Sequence, residues 1–414
     1  MTKNTYFKNI LLGIFALGSV SNSYSQNTAK DGQSFDIQLN TITTAVPFLL
    51  IAPDSRASGM GDMGVATSPD INSLHWNASK YAFAEEEMGV SFSYAPWLRN
   101  LGINDINHVY LVGYKKIGKR QAIAGGLRYF SLGSITFTNE TGGIIKEANP
   151  QEFSIDGAYS VKLSKNLSGA FTARFINSNL TDGLTVGSVE TKPGRTFAVD
   201  ISAFYKGKKF KLSGNNATVN VGINVSNIGA KIAYSNTVSK DFLPANLRLG
   251  SVLNIDMNEY NQFSIGVDFN KLLVPTNAVY SIKEPNVIVS GRDNNVSVAS
   301  GIFGSFTDAP GNVIFDNDNE FVEVEKGSVL IEELREVNIS LGMEYIYAQK
   351  FKVRAGYFHE HYTKGNRRYI TMGVGLKYSK MDIDFSYLAS LSNQNPLANT
   401  IRLTLGFNFN NDSK

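Results

Sequence analysis

Apolar and polar residues alternate with a period of two along most of the chain from about Met88 onward. In NTIRLTLGFNFN, every second residue from Ile401 to Phe409 is apolar, and those between are polar or Gly. Such alternation is typical of β-strands with two unlike faces. It predicts fourteen strands, at residues 87–95, 105–116, 120–132, 151–163, 166–177, 195–206, 217–228, 246–256, 261–270, 335–347, 350–361, 367–378, 380–389 and 399–409.

The links between these strands alternate between short and long. Tight links such as IGKR, SKN and AQK fall at every second junction, with one longer exception at 206–216. The other junctions are mostly long, the longest being 271–334. An even strand number with this alternation is typical of an outer-membrane barrel, with short turns and both chain ends in the periplasm. The sequence therefore predicts an all-β fold, a transmembrane antiparallel β-barrel of about fourteen strands. A soluble exported β-sandwich is the alternative, although it does not predict the alternating links.

The chain begins with features of an export signal. Lys3 and Lys8 precede an apolar run, and Ser23 and Ser25 stand before a predicted cut at Gln26. We therefore expect a signal peptide at 1–25, a periplasmic or plug segment at 26–86, the barrel at 87–409 and a tail at 410–414. This organisation predicts a multi-pass barrel in the outer membrane of a Gram-negative bacterium.

Composition narrows the chemistry. The chain has no Cys, which excludes disulfides, catalytic thiols and Cys-based metal sites. A net charge of +3 with scattered basic residues does not indicate nucleic acid as a partner. Charged residues occur on the strand faces opposite the apolar rows, and we expect them to line the lumen: Arg174, Arg248, Asp268, Glu344, Arg354, Lys377, Asp382, Asp384 and Arg402.

Gly59, Gly61 and Gly64 form the pattern G-x-G-x-x-G, which in dinucleotide-binding folds cradles a pyrophosphate between a strand and a helix. Here Pro53 precedes the glycines, and the turn-forming residues 67–70 follow them, so neither the strand nor the helix is expected. The sequence therefore disfavours a nucleotide site and predicts no cofactor.

The same stretch is better interpreted as a plug inside the lumen. Glycines allow a backbone to pack closely against wall side chains and to adopt positive φ. We expect Arg56 and Asp62 to pair with luminal charges. We expect Trp76 and Asn77 to hold the segment in place before the first strand.

Two further motifs contain residue types that bind metal ions. His359 and His361 flank Glu360, but they are two residues apart and have no other ligand nearby. The run DNDNE at 316–320 resembles the start of a calcium loop, but Phe321 occupies the position that requires Gly. The sequence predicts no metal site, and no nucleophile and base stand out, so we expect the protein not to be an enzyme.

The long loop at 271–334 carries apolar residues worth burying, and loops of this length are usually functional or disordered. Acidic residues around Leu330, Ile331 and Leu334 predict a short amphipathic helix leading into the tenth strand. We expect a partner-binding surface on this loop, with candidate residues Phe303, Phe306, Asp308, Pro310, Phe315 and Phe321.

Residues 47–81 and the motif GIFGSFTDAP closely resemble the PorV (LptO) family of the type IX secretion system. Two departures occur: Asn77-Ala78-Ser79 stands where the family usually has Asn-Pro-Ala, and Ser58 where it has Gly. The resemblance implies a fourteen-stranded relative of FadL-type barrels that binds the C-terminal signal domain of secreted cargo. It implies receipt of cargo at a SprA (Sov)-like translocon barrel and delivery to a PorU-like sortase attachment complex.

The resemblance implies a shuttle in contact with outer-membrane lipid. From the length and sidedness of the loops, we expect cargo to bind chiefly at 271–334 and secondarily at 178–194 and 229–245. A FadL-like transporter of small hydrophobic molecules is the alternative, although a charged lumen argues against it. Lipid A deacylation, suggested by the name LptO, lacks a visible nucleophile–base set.

Overall fold

Fourteen antiparallel strands form a closed barrel in the computed structural model. It describes residues 39–99, 102–139, 141–181, 183, 185–186, 189–236, 240–316, 318–391 and 397–409. The predicted signal peptide and the tail at 410–414 lie outside the described residues. Within them, no helix is long and apolar enough to cross a bilayer.

The barrel strands follow the sequence alternation closely. Every predicted strand is present, and its ends agree with the prediction to within two residues, so the predicted architecture is confirmed. The strands are β1 Met88–Pro96, β2 Ile106–Ile117, β3 Gln121–Leu132, β4 Gln151–Lys162, β5 Leu167–Asn179, β6 Gly194–Tyr205, β7 Asn215–Gly229, β8 Asn246–Asp256, β9 Asn261–Leu272, β10 Val337–Tyr347, β11 Phe351–His359, β12 Arg368–Tyr378, β13 Met381–Ser390 and β14 Thr400–Phe409.

The ring closes where the first and last strands meet. β1 pairs with β14 in antiparallel register from Met88↔Phe409 to Tyr94↔Leu403, and each of the other strands pairs with its neighbours in sequence. The pairing of β6 with β7 contains a register shift between Val199 and Ile201. Closure gives every strand two partners, which matters because lipid offers no hydrogen bond to a free strand edge.

Side chains alternate between the two faces of the wall as predicted. On β14, Ile401, Leu403 and Phe407 are exposed on the outer face, whereas Arg402 and Thr404 are buried on the inner face. Most of the charged residues expected in the lumen are buried there, namely Arg174, Arg248, Asp268, Glu344, Arg354, Asp384 and Arg402, while Lys377 and Asp382 are half-buried.

The two ends of the barrel differ. One end carries the tight turns, and the longer link between β6 and β7 is a small hairpin, since Phe210–Leu212 pairs with the start of β7. The other end carries the long links, which contain hairpins of their own. These are Ile135–Thr138 with Ile144–Ala148, Thr185–Val186 with Val189–Glu190, Val279–Tyr280 with Ile288–Ser290, and Val313–Phe315 with Phe321–Val324.

Residues 39–87, called here the luminal segment, run through the barrel interior. The segment contains short helices: 3-10 turns at Pro47–Leu50 and Ala78–Phe83, α1 at Ser55–Ser58 and α2 at Ser73–Trp76. Two more helices, α3 at Val298–Gly304 and α4 at Ser328–Arg335, lie in the link between β9 and β10, and α4 is the predicted amphipathic helix.

The path of the luminal segment corrects one expectation. We expected the N-terminal region on the short-turn side, but its described part begins among the long links. The Asn40 amide donates to the Thr363 carbonyl at 3.1 Å and the Ala45 amide to the Phe242 carbonyl at 3.0 Å. The segment reaches the short-turn end at Glu87, whose carbonyl accepts from the Lys116 amide at 2.8 Å. It can cross because the polar inner wall satisfies its backbone groups.

Candidate functional site

The glycine motif lies inside the barrel and binds the wall. The amides of Gly64 and Val65 donate to one carboxylate oxygen of Asp268 at 2.7 and 2.9 Å. In a nucleotide-binding loop such amides point at a phosphate. Here a side chain of β9 takes that place, so the glycines serve contact with the barrel.

Glycine is required because two backbones meet closely. Gly61 has φ +69°, and a Cβ there would lie 2.6 Å from the Tyr357 carbonyl oxygen. Across the contact, a Cβ on Gly356 of β11 would lie 2.1 Å from the Gly61 nitrogen. Gly59 faces Gly373 of β12 in the same way, with a Cβ 3.0 Å from its Cα. Glycines in the segment therefore match glycines in the wall.

A chain of alternating charges links the luminal segment to three strands. Arg56 donates to Asp70 at 2.8 Å and to Glu344 of β10 at 2.9 Å. Glu344 also accepts from Arg354 of β11 at 2.7 Å, and Arg354 donates to Asp384 of β13 at 2.6 Å. Buried charges must be paired in this manner, because an unpaired charge in such surroundings costs several kcal/mol. This row of ion pairs fixes the orientation of the luminal segment about the barrel axis.

Arg354 reaches Asp384 across the intervening strand β12. A Cβ on Gly375 would lie 2.2 Å from a carboxylate oxygen of Asp384, so the glycine leaves the gap through which the pair forms. The sequence placed Arg354 and Asp382 on the same face, and the structure pairs Asp382 with Lys352 at 2.9 Å instead.

A second buried cluster lies on the other side of the barrel. Arg174 of β5 donates to Asp156 of β4 at 2.7 Å and to Asp200 of β6 at 2.9 Å. Its Nη1 also donates to the Asn227 side chain of β7. This cluster joins four neighbouring strands and makes the lumen polar on both sides of the segment.

The other motif residues are held by hydrogen bonds. Trp76 donates from Nε1 to Asp54 at 2.6 Å, and the Asn77 side chain donates to the carbonyls of Val65 and Ala203 at 3.0 and 2.9 Å. Asp62 accepts from the Tyr369 hydroxyl at 2.5 Å. The seven predicted motif residues thus all lie within one luminal contact region.

Sequence reasoning missed three luminal residues that are equally engaged. Asp54 caps α1 by accepting from the Ala57 amide at 2.9 Å, and Asp70 pairs with Arg56. Lys80 is buried and donates to the Gly64 carbonyl at 2.8 Å and the Thr67 hydroxyl at 3.0 Å. Asp54 before a short helical run is a helix-cap signal that the sequence offered. Nothing local distinguishes Lys80.

The candidate partner-binding residues divide into exposed and buried groups. Phe303 is 80 % exposed, and Phe306 and Phe321 are also exposed, whereas Phe315 is half-buried. Asp308 and Pro310 are buried within the loop, so they support its conformation. The structure therefore leaves three of the six side chains available to a partner.

Asp308 lies beneath α4 in an acidic environment. Its carboxylate accepts from the Thr276 amide at 3.3 Å. Burial, together with the neighbouring charges of Glu333 and Glu336, raises the pKa of Asp308 to about 6, although the Thr276 amide and Lys271 oppose the rise. The loop is therefore sensitive to proton concentration at this residue.

Helix α4 binds the barrel mouth through its acidic face. Glu332 accepts from Lys364 at 2.6 Å, and Glu336 accepts from Lys364 at 3.0 Å and from Lys271 at 2.6 Å. The Asn40 side chain of the luminal segment also donates to Glu332 at 3.2 Å. These buried contacts hold the long link, the luminal segment and the link between β11 and β12 together.

The two histidines and the acidic run at 316–320 form hydrogen bonds with residues close to them in sequence. His359 shares a hydrogen bond with Tyr357 at 3.1 Å, and His361 shares one with Thr363 at 2.9 Å. Asp316 accepts from the amides of Asp318 and Glu320 and so shapes a turn. Among the side chains that the structure describes, no group of three is placed to hold a metal ion.

No curated protein sequence matches the chain. It is similar to the solved structure of the Pseudomonas putida toluene transporter TodX, with 11 % identity, 89 % of this chain and 98 % of that chain covered, and a TM-score of 0.47. It is also similar to a Pseudomonas aeruginosa FadL homologue, with 10 % identity, 89 % and 99 % coverage and a TM-score of 0.41.

A family model described as type IX secretion system protein PorV matches residues 34–279. This range is more than half of the chain and includes the luminal segment and the strands β1 to β9. The chain therefore belongs to the PorV family and is an outer-membrane β-barrel component of the type IX secretion system.

Proposed function

We propose that this barrel binds the C-terminal signal domain of secreted cargo on its long-link end and passes it on, without catalysing a reaction. One observation carries the proposal: a firmly anchored loop presents exposed apolar side chains beside a lumen that is crossed by a packed segment. Family membership supplies the secretion system in which the binding occurs.

The binding surface is formed by exposed apolar residues between β9 and β10. Phe303 lies on α3, and Ile314, Phe321 and Val322 lie on the hairpin Val313–Phe315 with Phe321–Val324. Several exposed apolar side chains on one loop favour an interaction site there. The buried charges around Glu332 and Lys364 hold the loop in place, so binding requires little ordering of the loop.

The luminal segment supports protein binding over transport of small hydrophobic molecules. An apolar solute needs an apolar path, but the segment fills its surroundings with the Arg56–Glu344–Arg354 charge chain and close glycine contacts. We infer that the segment acts as a plug and that cargo contacts the rim of the barrel. A translocon barrel and a sortase-like attachment complex are the partners that this role requires.

The test is affinity purification of a tagged protein from native outer membranes in mild detergent. We expect the wild type to recover a large barrel and proteins that carry a C-terminal signal domain. The double variant Phe303→Asp/Phe321→Asp should lose most of the signal-domain proteins, because each change places a carboxylate in an apolar contact. Both side chains are exposed, so barrel folding should be retained.

The matched control is Tyr260→Asp, which replaces an exposed aromatic residue in the tight turn between β8 and β9 at the opposite end. It should recover cargo like the wild type. Recovery of the wild-type barrel alone, or equal cargo recovery with the double variant, would overturn the proposal.

A further inference from the structure

A groove lies on the outer wall of the barrel beneath helix α4. It is an open groove with a volume of about 310 Å³, at the lower end of the size range of small-molecule sites. Its surface is almost wholly apolar. The lining residues that matter here are Leu249, Phe269, Phe306, Leu330 and Leu334.

The floor of the groove belongs to the lipid-facing wall. Leu249 of β8 and Phe269 of β9 are direct register partners and are both exposed on the outer face. Their sequence neighbours Arg248 and Asp268 are buried on the inner face. The outer face of a membrane barrel is an apolar band in contact with lipid. The groove is therefore continuous with a surface that hydrocarbon already covers.

The roof of the groove is an amphipathic helix with its apolar side turned outward. Leu330 is 66 % exposed and Leu334 65 % exposed, whereas Glu332 of the same helix and Glu336, directly after its end, are buried. Surface helices of water-soluble proteins usually bury the apolar side. The reversed orientation is typical of helices at a membrane interface, where the apolar side meets acyl chains.

The charged groups at the groove neutralise one another. Lys271 donates to Glu333 at 3.1 Å, and both side chains are largely buried. Lys271 also lies 5.9 Å from the centre of the ring of Phe306, another residue that lines the groove. No net charge is presented, so the groove suits a hydrocarbon chain better than a charged peptide.

We propose that this groove holds an acyl chain of an outer-membrane lipid, clamped between the wall at Leu249 and Phe269 and the helix at Leu334. The lipid belongs to the leaflet at the long-link end, since the groove is formed by the ends of β8, β9 and β10 nearest the long links. This inference is independent of cargo binding, which was placed on α3 and the neighbouring hairpin.

Bromine on a lipid acyl chain quenches tryptophan only at close contact, which provides a direct test. The reporter is Phe306→Trp in the full chain, reconstituted in vesicles of phosphatidylcholine with brominated acyl chains. Signals from the two native tryptophans, Trp76 and Trp97, are subtracted with the wild type. We expect the reporter to emit at short wavelength and to lose most of its fluorescence relative to vesicles of unbrominated lipid.

Two variants of α4 distinguish binding of an acyl chain in the groove from general immersion of the helix in lipid. Leu334→Glu places a charge in the groove, and Ile331→Glu places one at an exposed residue of α4 that does not line it. In the reporter background, Leu334→Glu should abolish most of the quenching and Ile331→Glu should retain it. Heat-modifiable migration on gels verifies that both barrels are folded.

Three outcomes would overturn the proposal. A reporter unquenched in brominated vesicles would mean that no acyl chain enters. Equal quenching in both glutamate variants would mean that the groove does not hold the chain. A reporter that is unquenched in vesicles but shifted to short wavelength in native membranes would assign the groove to a protein partner.

Discussion

Arg56 of the luminal segment and Glu344 of the barrel wall form a two-pronged ion pair, although 288 positions separate them in sequence. Nη2 lies 2.9 Å from Oε1 and Nε lies 3.2 Å from Oε2. Bidentate pairs of this kind fix orientation as well as supplying energy. Together with the contacts to Asp268 and the wall glycines, the pair positions the glycine-rich segment against the wall.

Replacement of Arg56 by Gln should loosen the segment. Glu344 keeps Arg354, but the half-buried Asp70 loses its ion-pair partner, so we expect a loss of about 1–3 kcal/mol. We expect a lower unfolding midpoint in urea with the protein in lipid vesicles, and increased ion conductance in planar bilayers. Arg292→Gln, at an exposed arginine of the long link, should change neither measurement. A closed, fully stable R56Q barrel would contradict the plug role.

Gly61 is expected to tolerate no side chain. Alanine there meets two costs, the positive φ and a Cβ 2.6 Å from the Tyr357 carbonyl oxygen, so we expect a loss of about 2–5 kcal/mol. Gly214→Ala has φ +86° but open space around it, so it should lose only about 1–2 kcal/mol. The measurement is urea unfolding of both folded barrels. Equal losses would show that the close backbone approach is unimportant.

Two lysines of the long-link end form ion pairs of equal length and opposite burial. Lys364 lies 2.6 Å from Glu332 in a buried network, and Lys283 lies 2.6 Å from Glu320 at the surface. We expect Lys364→Gln to destabilise the anchoring of α4 by about 3 kcal/mol, because it leaves acidic groups unpaired. Lys283→Gln should cost less than about 1 kcal/mol.

Limited proteolysis of the link between β9 and β10 distinguishes the two variants. Cleavage near α4 should accelerate strongly in K364Q and hardly at all in K283Q. Similar cleavage rates in both would mean that the buried network does not hold the loop.

The anchoring of the long link should also depend on pH through Asp308. Its folded pKa of about 6 is above the ordinary value of 3.8, so protonation favours the folded loop. The resulting stability is fully present below about pH 4 and is lost as pH rises through about 6. Hydrogen exchange around α3, corrected for its intrinsic pH dependence, should be slower at about pH 4 than at about pH 8.

Asp308→Asn should remove part of that pH difference, since the amide is neutral throughout. Asp318→Asn, at an exposed acidic residue of the same link, should keep the wild-type difference. The same pH difference in D308N as in the wild type would mean that Asp308 does not control the anchoring of the loop.

Strand positions were predictable because each strand meets lipid on one face and a polar lumen on the other. That asymmetry imprints a period of two on every strand, from Met88 to Phe409, and the short and long links mark the two ends. Helix α4 was predictable from its acidic and apolar residues, but its orientation was not. Periodicity shows that a helix has two faces and does not show which face the barrel mouth will bind.

The glycine motif shows most clearly which contacts the sequence does not predict. Its spacing fits a phosphate loop, and only its context in the chain disfavoured that interpretation. Its partners, Gly356, Gly373 and Asp268, lie on strands that are about 200 or more residues away in sequence. Their placement depends on barrel closure and strand register, which no local pattern encodes.

The sequence by itself therefore determined the barrel, its strand boundaries, the charged lumen and the family resemblance, because these follow from local alternation and contiguous motifs. Only the tertiary structure decided that Arg354 pairs with Asp384 across Gly375, and that the luminal segment begins at the long-link end. It alone showed that α4 turns Leu330 and Leu334 outward. The physical reason is that these contacts join residues far apart in sequence. Such residues come close together only when the barrel has closed.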